Sequence, residues 1–191
     1  MGTPQDPLAA IHHHLFDTAF GVCGVAWSMR GLTGVQLPEK DGANTEFRLA
    51  AKCHSTGSAE PPQTIATLAV NIQNYLDGER VDFSSVTVDF SNMLEMRRRI
   101  YVALRRVPFG RTTTYSELAV LLGMTEWEGA RDVGEAMGRN PMPLVIPCHR
   151  VLVAGGKLGG FSAYGGGATK QRLLALEGVH FDGGAPRLPG V

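Results

Sequence analysis

Cys148 and His149 stand side by side in Pro147-Cys148-His149-Arg150-Val151, and they are the pair in this 191-residue chain best suited to chemistry. Only the thiolate is a strong nucleophile, so a reactive cysteine needs a proton acceptor or positive surroundings, which His149 and Arg150 could help to supply. The approach runs through the apolar Leu144-Val145-Ile146, which reads as a short buried strand. Pro141, Pro143 and Pro147 stiffen it and forbid a helix. Such a run presents one thiol at a fixed place on a rigid base. Against this stands the commoner state of a free cysteine, a small buried hydrophobe. The neighbours decide.

The elements that must position the thiol lie on both sides of it. Met93 to Val107 carries Met96, Ile100, Leu104 and Val107 on one helical stripe, with Arg97, Arg98, Arg99, Arg105 and Arg106 around it. Those arginines fit either a solvated face or a contact with an anion. Thr114-Tyr115-Ser116-Glu117 is a capping box, in which the Thr114 hydroxyl accepts from the Glu117 amide and the Glu117 carboxylate reaches back. A helix through Leu122, a turn at Gly123-Met124 and a second helix from about Gly129 to Gly138 give the outline of a helix-turn-helix. After the cysteine, Val151 to Val153 extends, and a glycine-dense loop from Gly155 to Gly167 surrounds Phe161-Ser162-Ala163-Tyr164. Such a loop brings backbone close to a ligand but lacks the spacing of a phosphate loop. Thr169 to Glu177 is the last helix, and Val179 to Val191 reads as a loosely held tail.

The first half has a different character. Phe16 to Leu37 reads as two strands, Thr45 to Lys52 as a short helix, and Ser55 to Pro62 as an exposed connector. Gln63 to Leu76 has the three-and-four spacing of an amphipathic helix, stopped by Asp77-Gly78, and Val81 to Phe90 returns to alternation. No catalytic constellation is visible here, so this half reads as scaffold.

Composition sets the outer limits. At 43% hydrophobic and 19% charged residues the chain fits a globular protein with its own core, and no apolar run is long enough for a membrane span. Met1 to His14 lacks a basic start followed by an apolar core, so no secretory signal is read. Three cysteines, Cys23, Cys53 and Cys148, are an odd count without paired spacing, which favours a reducing, cytoplasmic setting over a disulfide framework. His54 beside Cys53, with Cys23 upstream, raises zinc, but no ligand block supports it and no metal is expected. The overall charge of zero hides an asymmetry: residues 1–92 hold 5 basic and 10 acidic side chains, residues 93–191 hold 13 and 8. The basic half is the one suited to an anionic partner.

Five blocks in one order carry a resemblance: Val107-Pro108-Phe109-Gly110 running into Thr114-Tyr115; Ala130-Arg131-Asp132-Val133-Gly134; Asn140-Pro141; Pro147-Cys148-His149-Arg150-Val151; and Leu173-Leu174-Ala175-Leu176-Glu177-Gly178. Across roughly Val86 to Gly178 the chain resembles the O6-alkylguanine-DNA alkyltransferases, or methylated-DNA–protein-cysteine methyltransferases. The resemblance implies a ribonuclease-H-like α/β domain over residues 1–90. A winged helix-turn-helix-like alkyltransferase domain follows over 93–180, with a loose tail over 181–191. It implies a monomer that turns an O6-alkylguanine out of double-stranded DNA and takes the alkyl group onto Cys148, once, without a cofactor.

The roles implied fall on matching positions. His149 takes the thiol proton through a water while Glu177 holds the imidazole. Tyr115 donates to the base as guanine leaves, and a phenol is neutral and able to donate at working pH. Asn140 bridges the turn behind the second helix to the active-site segment. Arg131 fills the gap left by the flipped nucleotide, with Thr114, Tyr115 and Arg111 facing DNA. The carbonyls of Cys148 and Val151 accept from the guanine amino group, and one of Ser162, Ala163 and Tyr164 faces the base.

Three features depart from the family pattern. The loop from Gly159 to Gly167 is about two residues longer, acidic Glu126, Glu128, Asp132 and Glu135 surround the second helix, and nothing fixes Arg111 on a phosphate. Two rivals follow from the same residues: a protein that binds damaged DNA without transfer, and a helix-turn-helix regulator. Neither needs the thiol that Cys148 supplies.

Overall fold

The computed structural model describes residues 10–182 and 185–187. Strands β1 (His12–Thr18), β2 (Gly21–Ser28), β3 (Gly31–Gln36) and β4 (Gly57–Ser58) form one sheet in the order β3-β2-β1-β4. The first three are antiparallel neighbours joined by two-residue loops, and β4 runs parallel to β1. Strand β1 was not visible in the sequence, because its first three residues are histidines. The pleat nevertheless turns His13 inward, where Ser55 and Glu46 satisfy its two ring nitrogens. At the second hairpin Gly31 has φ +137°, and a Cβ there would lie 2.7 Å from the Thr87 carbonyl oxygen, so only glycine fits.

Helices α1 (Gly42–Cys53) and α2 (Gln63–Leu76) pack on this sheet. Helix α2 has the bounds its spacing predicts, and it buries Ile65, Leu68, Ala69, Ile72, Tyr75 and Leu76. Val81 to Phe90 is not the expected strand. It is irregular, pinned where Leu32 exchanges backbone bonds with Thr87 and Asp89. Arg105 also clamps it, its Nη2 donating to the carbonyls of Phe83, Ser84 and Val86. One arginine of the basic cluster is thus structural.

In the second half, α3 (Glu95–Leu104) precedes β5 (Thr113–Thr114), α4 (Tyr115–Leu121) and α5 (Glu126–Gly138). Both bonds of the Thr114–Glu117 capping box are present. Gly129 lets α5 cross α4 closely, since a Cβ there would lie 2.7 Å from the Cβ atoms of Ala119 and Met124. Strand β6 (Val151–Leu152) pairs in parallel with β5, Thr113 opposite Val151, and helix α6 (Gly166–Leu176) follows. The expected loose tail instead carries paired strands β7 (His180–Asp182) and β8 (Ala185–Arg187); residues 183–184 and 188–191 lie outside the described residues. One continuous apolar cluster runs from Cys23 of β2 to Leu173 of α6, so the two halves share a core. Among the described residues no helix is long and apolar enough to cross a membrane.

Candidate active site

Leu144-Val145-Ile146 does not form the expected strand. The chain turns there, with Leu144 at φ +73°, and Cys148–Arg150 is a single 3-10 turn. Left-handed backbone at a leucine is strained by roughly 1–3 kcal/mol, tolerated because Leu144 is buried in the shared core. The prolines remove the amide donors that a strand would need at alternate positions. As a result Cys148, His149 and Arg150 are all buried on a tight turn, rather than alternating across a sheet.

Asn140 holds the thiol. Its amide nitrogen donates to the Cys148 sulfur at 3.0 Å and to the Ile146 carbonyl at 2.8 Å, while its oxygen accepts from the Met142 amide. Among the described residues no hydrogen bond joins the sulfur to an imidazole. Burial pushes the Cys148 pKa up, opposed by the Asn140 bond and by the nearby charges of Lys170 and Lys52. The resting group is therefore a thiol, which must lose its proton when it reacts.

The base next to it is neutral. His149 Nε2 lies 2.8 Å from Glu177 Oε1, and full burial lowers the imidazole pKa against the pull of that carboxylate. With Nε2–H donating to Glu177, Nδ1 is left as the acceptor, and it has no protein partner among the described residues. Glu177 also accepts from Arg150 Nε and Nη2, the Tyr75 hydroxyl at 2.7 Å and the Gly110 amide at 3.1 Å. Burial alone would raise its pKa, but the His149 bond and then the bonds and charge of Arg150 outweigh burial and hold it well below the carboxylate range. Since the imidazole is neutral, the arginine fork is the cation that keeps it ionised. Arg150, expected to supply positive charge at the thiol, is engaged with Glu177 and the Val107 carbonyl instead.

The remaining expected residues divide into near and far. Tyr115 opens α4, and the β5–β6 pairing sets its strand beside Val151. Burial and then the neighbouring Cys148 raise its pKa, which keeps it a donor. Ser162 lines a cavity of about 590 Å3 that also reaches Cys148, Asn140 and Pro143. The Val151 carbonyl accepts from Lys170 Nζ at 2.6 Å, and the Cys148 carbonyl from the Val151 amide, so each retains one lone pair. Arg131, Arg111 and Tyr164 are exposed and outside the cluster. Arg131 is the sixth residue of α5 rather than near its start, because the helix begins three residues earlier than expected. The acidic surroundings of α5 are partly offset: Glu135 lies 3.4 Å from Arg139 and 3.8 Å from Arg97, and Asp132 lies 3.9 Å from Arg131.

Three residues escaped the reading of the sequence. Tyr75 and Lys52 come from the half taken as scaffold. Lys170 is fully buried, its pKa lowered to about 8 by desolvation, and it sits on the same helical stripe as Leu173 and Leu174. Among the described residues no three His, Cys, Asp or Glu side chains converge as a metal-ligand set.

Comparison with known proteins adds to this geometry. Residues 95–179 match the DNA-binding domain of 6-O-methylguanine DNA methyltransferase, and residues 11–90 match the ribonuclease-like domain of the same family. A methylated-DNA–protein-cysteine methyltransferase of Methanothermobacter thermautotrophicus is 39% identical over 160 residues, covering 84% of this chain and 81% of that protein. A DNA base-flipping protein of Thermus thermophilus is 38% identical over 122 residues, 62% of this chain and 79% of that one. The crystal structure of Mycobacterium tuberculosis OGT in complex with DNA superposes with a TM-score of 0.69 at 31% identity, covering 87% of this chain and 92% of that chain.

Proposed function

The chain belongs to the 6-O-methylguanine DNA methyltransferase family, and from that premise we propose that it repairs O6-alkylguanine in duplex DNA by moving the alkyl group onto Cys148, once per molecule. The observation that carries this reading is the Cys148 thiol, held by Asn140 and adjacent to a neutral His149 whose Nδ1 has no protein partner among the described residues. Chemistry at O6 of a stacked guanine requires the nucleotide to leave the helix, at a cost of roughly a few kcal/mol. Helix α5 faces the DNA, and Arg131, exposed along it, fills the space left behind.

With the base in place, His149 Nδ1 takes the thiol proton through a water. Glu177 stabilises the imidazolium that forms, as a buried carboxylate does for a histidine base. The sulfur electron pair forms the S–C bond as the C–O6 bond breaks, and its pair departs on guanine O6. Tyr115 donates to the departing base, and the proton taken from the thiol ends on guanine. Atoms and charge balance as thiol plus O6-alkylguanine giving thioether plus guanine. A thioether is not displaced by water at neutral pH, so no second turnover follows.

Binding without transfer would use α5 and Arg131 equally well, but it has no use for a thiol fixed by Asn140 beside a buried base. The test is intact mass after incubation with duplex DNA bearing O6-methylguanine. One methyl group is expected on the peptide containing Cys148, and none in Cys148→Ser. Methyl on Cys23 or Cys53, or no gain at all, overturns the proposal.

A further inference from the structure

A second cavity, of about 580 Å3, shares no lining residue with the one that reaches Cys148. It lies where the irregular segment after α2, the loop after α3 and the chain leading to the 3-10 turn meet. Neither Cys148, His149, Asn140, Tyr115 nor Glu177 lines it. Arg150 does, but its donors are committed to Glu177 and the Val107 carbonyl, and the carboxylate cancels its charge.

The other ionisable groups of this cavity are Arg80, Arg105, Arg106 and Asp82. Among the described residues none of the three arginines forms an ion pair, so three guanidiniums face one carboxylate, a surplus of two positive charges. Asp82 is occupied within its own loop, accepting from the Ser84 amide and hydroxyl, each at 2.8 Å. Glu79, beside Arg80 in sequence, is exposed and does not line the cavity. Arg105 is fixed by the three carbonyls that its Nη2 meets, yet its Nε is buried with no partner among the described residues. Its guanidinium is thus held in place and still short of acceptors. Arg80 lies over the Phe109 ring, 5.7 Å from the centroid, and that stacking holds a second cation against the apolar wall.

The surfaces between these charges are apolar, from Phe83, Pro108, Phe109 and Val145. The volume falls among those of small-molecule sites, roughly 300–1,000 Å3, and exceeds what a lone phosphate fills. A surplus of two charges matches a phosphate monoester, with about two negative charges, better than a backbone phosphodiester with one. Guanidinium forks take phosphate oxygens in pairs, and phenylalanine faces accept a flat ring. We propose that this cavity binds a phosphate monoester carried on an aromatic ring system, a nucleoside monophosphate, with Arg80, Arg105 and Arg106 holding the phosphate. The site stands apart from alkyl transfer and does not depend on it.

The test is calorimetric titration of the full chain at about pH 8, where a monoester is doubly ionised, with thymidine 5′-monophosphate, its methyl diester, thymidine and inorganic phosphate. The monophosphate is expected to bind, and each of the other three to bind about tenfold more weakly or less, the scale of one charge-assisted hydrogen bond. Arg80→Gln and Arg106→Gln, both at exposed positions, should each weaken the monophosphate by about tenfold. Arg98→Gln removes the same charge from an exposed arginine outside the cavity and should leave the affinity unchanged. No binding of the monophosphate, or equal losses in all three variants, overturns the site. A diester bound as tightly as the monoester makes it a contact for backbone phosphate and overturns the ligand assigned. Inorganic phosphate bound as tightly overturns the part given to the ring.

Discussion

Replacing Tyr75 by Phe removes a single hydroxyl from the buried network and tests whether the first half of the chain takes part in the site. Tyr75 is 1% exposed, and its ring packs edge-on against Phe83 and Phe109 at 5.6 and 6.2 Å. Phenylalanine keeps those contacts, so no cavity contributes to the loss. What disappears is one donor to an ionised carboxylate, the 2.7 Å bond to Glu177 Oε1, together with the 3.3 Å approach to His149 Nε2. A hydrogen bond to a charged group contributes about 1.5–3 kcal/mol, so about 2 kcal/mol of stability should be lost. For a chain of this length that lowers the melting temperature by about 4–8 °C. Urea unfolding should show a lower midpoint at unchanged slope, since the surface exposed on unfolding is the same. Glu177 keeps its bonds to His149, Arg150 and Gly110, so methyl transfer should slow only severalfold. A loss under about 0.5 kcal/mol, the level of an unremarkable surface change, would refute the view that α2 is tied into the site through this hydroxyl.

Two further outcomes follow from the same geometry. Arg131→Ala should slow repair in duplex DNA far more than transfer from free O6-benzylguanine, which needs no extrusion; equal losses on both substrates would remove Arg131 from base flipping. Glu177, whose ordinary pKa is 4.5, is held well below that in the fold, so its contribution to stability is fully present above pH 4.5 and is lost as the pH falls toward its lower folded value. Stability measured against pH should therefore decline below about pH 4.5 in the wild type and decline less steeply in Glu177→Gln, where Asp89, lowered to about 2, still contributes; the same acid slope in both would contradict the assignment.

The parts of the fold that were legible are those whose cause is local. The Thr114–Glu117 capping box needs only two side chains three residues apart, and α2 needs only its periodic stripe and a stop at Asp77-Gly78. The Cys148 approach misled because an apolar tripeptide between prolines satisfies the composition of a strand without its hydrogen bonds, and the chain resolves this by turning at Leu144. Strand β1 was hidden for the opposite reason. Its polar residues are accommodated inside the fold by partners such as Ser55 and Glu46, which lie more than thirty residues away.

The site itself divides along the same line. Cys148, His149, Asn140 and Tyr115 lie in contiguous blocks, and a short turn or a single strand pairing brings them together. Their electrostatic setting is assembled from afar, by Tyr75 on Glu177, Lys52 on the opposite cavity wall and Lys170 beneath the Val151 carbonyl. Of these, Lys170 did leave a trace, because it stands three and four residues before the buried Leu173 and Leu174, on the apolar side of α6 where a charge is costly. Tyr75 left a weaker one, since a phenol on the buried stripe of α2 must find a hydrogen-bond partner. Lys52 left none: three residues after Leu49 it borders the stripe of Thr45, Leu49 and Cys53, and a lysine at the edge of a buried face, its head in water, is ordinary. Only the contact between the two halves turns that ordinary position into the side of a cavity.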